Sequence, residues 1–156
     1  MKNPTTFYDK HGTPIRTGMV VRVSKAYHKN DNGLFLVTRT PGDPCWLGDY
    51  VSLTKISKTG KLSTSKYRLS SWPLVSYTNN RALRYEADQW NRENAEIEEA
   101  TVSSFDGIRA YFDSEASDRM SQAGFEYYHH GDNDTCKEFR ACANWLRSIA
   151  KEATIA

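Results

Sequence analysis

The sequence predicts an α+β protein: a small antiparallel β-barrel or curled sheet of about five strands, followed by two to three C-terminal helices. Three observations point there. Through roughly the first 80 residues, apolar residues come in short β-branched or alternating blocks separated by Gly, Pro, Asn and Asp. Beyond Asn80 they recur at helical spacing instead. The sign of the charge changes at about the same place. Up to Arg81 there are 13 Lys and Arg against four acids, a net of +9, and the remainder has eight against 15, a net of −7.

The strands follow in order. Met19-Val20-Val21-Arg22-Val23 is a β-branched run introduced by Gly18. Asn30-Asp31-Asn32-Gly33 supplies turn residues, and Leu34-Phe35-Leu36-Val37-Thr38 follows at once, which predicts a hairpin closed by a tight Asn-Gly turn. Pro41-Gly42-Asp43-Pro44 interrupts the sheet. Asp49 to Ser57 alternates, with Tyr50, Val51, Leu53 and Ile56 as its apolar members, and Lys58-Thr59-Gly60-Lys61 turns the chain again. Further strands are expected near Leu62 to Leu69 and Leu74 to Tyr77.

Leu83, Ala87 and Trp90 then mark the apolar face of a helix that starts after Asn79-Asn80. Glu96 to Val102 reads equally as an extension of that helix or as a last strand. Phe105, Ile108, Phe112, Ala116 and Met120 form a second helical stripe, with Ser103 or Ser104 as N-cap and Gly124 as stop. Asp134 or Thr135 opens a third helix, where Thr135-x-x-Glu138 has capping-box spacing, and Phe139, Cys142, Leu146, Ile149 and Ala153 form its buried stripe. The expected organisation is a basic unit over 1–80 and an acidic helical region over 81–156 packed on it as one compact unit.

Composition narrows the function classes. The chain has 156 residues, 38% hydrophobic and 12% aromatic, enough for a core without metal or disulfide support. No apolar run reaches the roughly 18 residues of a membrane helix. Met1 to Thr6 lacks the apolar stretch of an export signal. The three cysteines, Cys45, Cys136 and Cys142, form no even framework, so reduced thiols and a cytoplasmic location are expected.

Ile15 to Val23, Gly33 to Val37 and Ser71-Trp72-Pro73-Leu74, with a Gly ahead of a Val-rich first strand and a Trp-Pro step before a final one, resemble small barrels of the Src-homology-3 or KOW type. The resemblance covers about half of the chain and implies a nucleic-acid-facing loop after the first strand. The compact single-module style also resembles small phage-encoded accessory proteins.

The chemistry-bearing clusters mostly have plain structural explanations. Tyr127-Tyr128-His129-His130-Gly131-Asp132-Asn133-Asp134-Thr135-Cys136 combines zinc-type ligands, but adjacent histidines rarely aim at one ion and no second pair lies at ligand spacing. A polar loop capping the next helix is the simpler reading, and neither a metal nor a cofactor is expected. Cys136 and Cys142 are six residues apart on one helix and cannot share an ion or a bridge. Cys45 would need His11 or His28 beside it to act as a nucleophile. No Gly-x-Ser-x-Gly, Walker loop, Gly-x-Gly-x-x-Gly or His-Glu-x-x-His occurs. The acids of Glu96-Ile97-Glu98-Glu99 read as a solvated face.

The basic residues with interleaved aromatics carry more. Lys25, Tyr27 and Lys29 precede the first hairpin turn, while Lys55, Lys58, Lys61, Lys66, Tyr67 and Arg68 flank the second. Gathered at one end of a sheet, such lysines neutralise phosphates and the tyrosines stack on bases. Edge protection by lysine explains part of this pattern, but not the scarcity of acids over the same residues. The charge split itself implies either two faces with different partners or a basic face held by the chain's own acids. The sequence therefore points to a non-catalytic module whose basic face binds a polyanion, nucleic acid or nucleotide. A protein-binding or inhibitory accessory protein is the rival, and an enzyme using Cys45 or the His129-His130 segment is a third reading.

Overall fold

A computed structural model of the chain describes residues 6–44, 46, 48–57, 61–69, 81–100 and 106–152; for 63–69, 81–85, 87, 88 and 106 it describes the backbone alone. The architecture is α+β, with an antiparallel sheet followed by helices. In chain order the elements are β1 (Val20–Ser24), β2 (Gly33–Arg39), β3 (Val51–Ile56), β4 (Leu62–Leu69), α1 (Arg81–Asn94), β5 (Glu96–Ala100), α2 (Asp106–His130) and α3 (Asp134–Glu152). The chain divides into two compact units, Met1–Gly42 with Leu47–Ser103, and Asp43–Trp46 with Ser104–Ala156. Among the described residues no helix is long and apolar enough to cross a membrane.

The sheet order is β4-β3-β2-β1-β5, all neighbours antiparallel, with β4 and β5 as its two ends. Among the described strands β4 and β5 do not pair, so of the barrel or curled sheet expected, a closed barrel is not formed. Four strands precede the first helix, and the fifth comes from beyond it. The ambiguous segment after Ala95 thus resolves as strand β5, paired with β1 from Val20↔Ala100 to Ser24↔Glu96. Arg22 stands opposite Glu98 in that register, a favourable cross-strand charge pair. The strand expected at Leu74 to Tyr77, the Trp72-Pro73 step and the boundary expected near Thr78 to Asn80 lie outside the described residues. The sheet-bearing unit runs past that boundary because β1 needs β5 as its outer partner.

Alternation explains the core. Val21 and Val23 of β1, Phe35 and Val37 of β2, Val51 and Leu53 of β3, and Ile97 of β5 share one face and pack with Phe7, Ile15 and Ala26. β2 is the central strand, and Phe35 to Arg39 are all buried. That is why its sequence is a continuous apolar run rather than an alternating one.

The β1–β2 connection departs from the expected tight turn. It spans 25–32 and contains a 3-10 turn at Lys29–Asp31. Asn32 takes an extended conformation (φ −83°), and its side-chain oxygen accepts the Ala26 N–H at 2.8 Å. Its turn chemistry is spent inside a wider loop. Gly33 opens β2 at φ 132°, where a side chain would be strained.

In the second unit, α2 and α3 form a helical hairpin. Ile108, Phe112, Ala116 and Ala123 are buried on α2, and Cys136, Cys142, Ala143, Leu146 and Ala150 on α3. Steps of three, four and seven residues put these on matching stripes, with small side chains permitting close approach. Gly124 does not stop α2, which continues to His130. The stop is Gly131, at φ 78°, whose N–H bonds to the Tyr127 carbonyl at 2.8 Å, a left-handed C-cap. Consequently Tyr127 to His130 are helical rather than loop. Nor does Thr135 cap α3: the helix starts one residue earlier, and Asn133 Oδ1 accepts the Cys136 N–H at 2.9 Å.

Candidate functional site

The β1–β2 loop is held by its own unit at every turn. The Trp90 indole N–H donates to the Lys25 carbonyl at 3.1 Å. Asn91, fully buried on α1, accepts the Tyr27 N–H at 2.8 Å. Lys55 Nζ donates to the Asn30 carbonyl. Lys25 itself sits at φ 58°, a left-handed conformation that non-glycine residues adopt only when the surroundings impose it. These bonds set Tyr27 beside α1, its hydroxyl donating to Glu86 Oε2 at 3.3 Å and its ring 6.4 Å from that of Trp90 at 65°. Both rings reach solvent, Tyr27 at 39% and Trp90 at 47% exposure. The helical spacing predicted Trp90 on the buried face of α1. Its indole instead bonds to the loop and leaves a face open.

Strand β5 places carboxylates beside the basic residues. Glu96 pairs with Lys25 at 2.9 Å and with Lys10 at 3.2 Å; Glu98 lies 3.5 Å from Lys10 and 3.3 Å from His11. The hydrogen bond from Lys25, then that from Lys10, holds the Glu96 carboxyl below its ordinary range, and Glu96 in turn raises Lys10. The basic surface is thus held in part by acids from the other side of the charge boundary. Even so, the sheet-bearing unit has 15 Lys and Arg against nine acids, a net of +6, while the helical unit has six against ten, a net of −4.

Asp9 fixes the N-terminal turn to β5. One carboxylate oxygen accepts the N–H groups of His11 (2.9 Å) and Thr13 (2.8 Å), and the other that of Glu99 (2.9 Å). Burial alone would raise this carboxyl, but the three N–H donors outweigh it and hold the group below its ordinary value. The turn so placed borders a cleft of about 580 Å³ lined by Tyr8, Lys10, Arg92, Glu93 and Glu96, among others. Tyr8 is 53% exposed. A strip therefore runs from Tyr27 and Trp90 through the Lys25–Glu96–Lys10 chain to Tyr8 and Arg92, with Lys29 two residues beyond Tyr27 in the loop. It contains three large exposed aromatics of this unit, Tyr8, Tyr27 and Trp90.

Of the nine residues expected to bind a polyanion, eight are described, four at the β1–β2 loop and four at or on β4. Lys25, Tyr27, Lys29 and Lys55 belong to or touch the β1–β2 loop. Lys61 precedes β4, its N–H bonded to Ser57 Oγ at 3.1 Å. On β4, Lys66, Tyr67 and Arg68 stand opposite Thr54, Leu53 and Ser52. The registers Leu34↔Ile56 and Ile56↔Leu62 put the turn before β4 at the same end of the sheet as the β1–β2 loop, with Lys55, beside β4 on β3, reaching the loop at Asn30. Lys58 lies outside the described residues. Sequence reading missed Tyr8, Lys10, Glu86, Trp90, Asn91 and Arg92. No local signal marked them, because Trp90 continues the apolar face of α1 set by Leu83 and Ala87.

The other constellations are accounted for separately. Cys136 is buried, donates to the Ala123 carbonyl at 3.2 Å and accepts from Arg140 at 3.1 Å. Asp132 pairs with Arg140 at 3.2 Å, and His129 packs on Phe125 at 4.3 Å. Cys142 is buried in the apolar stripe, within 3.7 Å of the Pro44 carbonyl. Among the described residues no group of three or more His, Cys, Asp or Glu side chains is arranged to hold a metal ion. Cys45 lies outside them.

Compared with protein-family models, curated proteins and solved structures, the chain finds no match.

Proposed function

We propose that this protein is a non-catalytic module that binds single-stranded nucleic acid along the strip from Lys29 to Arg92. The observation that carries this reading is the exposed Tyr27–Trp90 pair, tied by hydrogen bonds to the loop that carries Lys25 and Lys29, on a unit of net positive charge. Stacking faces beside cations suit a strand whose bases are unpaired, because every base offers a π-face and every linkage a phosphate. A duplex hides its base faces and uses only the cations. Lys25 already has a carboxylate partner in Glu96, so a phosphate there displaces an ion pair rather than meeting a bare charge.

Fluorescence anisotropy with short labelled DNA and RNA strands, their duplexes and a mononucleotide tests this. Single strands should bind best, with affinity falling steeply as salt rises because counterions are released. Lys25→Glu combined with Lys29→Glu should remove the binding, with a thermal melt showing the variant folded, its midpoint lowered by the lost Lys25–Glu96 pair. Binding untouched by that double reversal would place the ligand elsewhere.

A second reading, a protein partner, rests on Phe125, Tyr127 and Tyr128, which are exposed near the C-terminal end of α2 in the acidic unit. Phe125 and Tyr128, three residues apart, share one face of the helix, and neighbouring exposed apolar groups mark interaction sites. Its signature is association that salt barely weakens and that Phe125→Ser with Tyr128→Ser abolishes.

A further inference from the structure

The aromatic strip has a carboxylate at its rim. On α1, Glu86 and Trp90 are one helical turn apart, and Glu86 Oε2 sits 3.3 Å from the hydroxyl at the tip of the Tyr27 ring. A base laid over Tyr27 or Trp90 brings its edge to that carboxylate. The cations lie on the loop side instead, with Lys25 and Lys29 in the segment that carries Tyr27. Negative charge at Glu86 repels phosphate, so the backbone is steered to the lysines and the base edge to α1.

An ionised carboxylate accepts hydrogen bonds and donates none. Among the unmodified bases, guanine alone presents two adjacent N–H donors on its Watson–Crick edge, N1–H and the N2 amino group. Adenine and cytosine set a ring-nitrogen acceptor beside their amino group, and uracil and thymine flank one N–H with two carbonyls. From this geometry we infer that Glu86 makes the strip selective for guanine, reading its Watson–Crick edge in the way single-stranded bases are commonly read. The inference rests on the proposed single-strand binding and names the base that fits best. Tyr27 has two parts in it: its ring stacks, and its hydroxyl bond holds the carboxylate at the rim.

The test uses the full chain and short labelled strands of thymidine carrying one or two central dG, dA or dC residues, too few guanines to form quadruplexes. The dG strands should bind roughly tenfold more tightly than all-thymidine strands, within the usual worth of a bidentate contact to a base. Glu86→Gln keeps an acceptor for the Tyr27 hydroxyl but replaces one carboxylate oxygen with a donor, and it should close the gap between dG and thymidine strands. A thermal melt of the variant establishes that it is folded. Equal binding of all four strands by the unmutated protein overturns the selectivity while leaving single-strand binding in place. Retained dG preference in folded Glu86→Gln overturns the role of Glu86. Failure of every strand to bind removes the single-strand reading and this inference with it.

Discussion

The Trp90 indole N–H donates to the main-chain carbonyl of Lys25, 65 positions earlier, across 3.1 Å. Lys25 is, among the described residues, the one non-glycine residue at positive φ. The bond therefore holds the loop at its strained point. Trp90→Phe keeps an aromatic ring and removes the donor. It should cost about 0.5–1.5 kcal/mol in chemical denaturation, the usual net worth of one hydrogen bond.

Asp9 gives a pH-dependent prediction with a definite sign. Its carboxyl is held below the ordinary 3.8 in the folded chain. The stabilisation is then fully present above that ordinary value and is lost as pH falls through the lowered native one. Asp9→Asn retains one acceptor but turns an amide donor toward backbone N–H groups. It should destabilise by about 1–3 kcal/mol near neutrality. The difference from the unmutated protein should narrow in melts run below about pH 4. A difference that stays constant down to strong acid would contradict this account of Asp9.

Ending the chain at Asn80 removes β5, the outer partner of β1 from Val20 to Ser24, along with Trp90 and Asn91. Such a fragment should aggregate or melt without cooperativity, since Ile97 leaves the core and one flank of β1 loses its ladder. Circular dichroism on heating reads this directly, and a cooperative melt matching that of the whole chain would refute it.

Gly124 lies within α2, is exposed, and has open space where a Cβ would stand. Gly124→Ala should therefore stabilise the helical unit by about 0.5–1 kcal/mol, through helix propensity alone. No change, or a loss, would mean that this turn of α2 is distorted or engaged in solution.

Much of the fold was legible because it rests on short-range pattern. Val20 to Val23, Leu34 to Val37 and Val51 to Ile56 announce strands by β-branching and alternation, and Phe112, Leu146 and Cys142 announce helices by spacing. What escaped depends on partners distant in sequence. Nothing local tells that Glu96 to Ala100 pairs with β1, because the segment is mostly acidic and its stabilising matches, Arg22, Lys10 and Lys25, lie more than 70 residues earlier. Two glycines, Gly124 and Gly131, carry the same stop signal seven residues apart, and only the Tyr127 carbonyl bond at the second decides between them. The candidate site was half legible. Lys25, Tyr27 and Lys29 stand out as a basic aromatic run, but Trp90 and Asn91 read as ordinary helix residues until the loop is folded against them.

The most direct test of the central claim is the affinity of the protein for a short single strand and for its duplex, with and without Tyr27→Ala, at about 50 and 200 mM salt. The unmutated protein should bind the single strand at low salt and lose much of that affinity at the higher concentration. Tyr27→Ala should remove about 1–3 kcal/mol from single-strand binding, the usual worth of one stacked base, and little from duplex binding. An unmutated protein that binds no strand at low salt, or a folded Tyr27→Ala variant that binds single strands as well as the parent, would contradict the account.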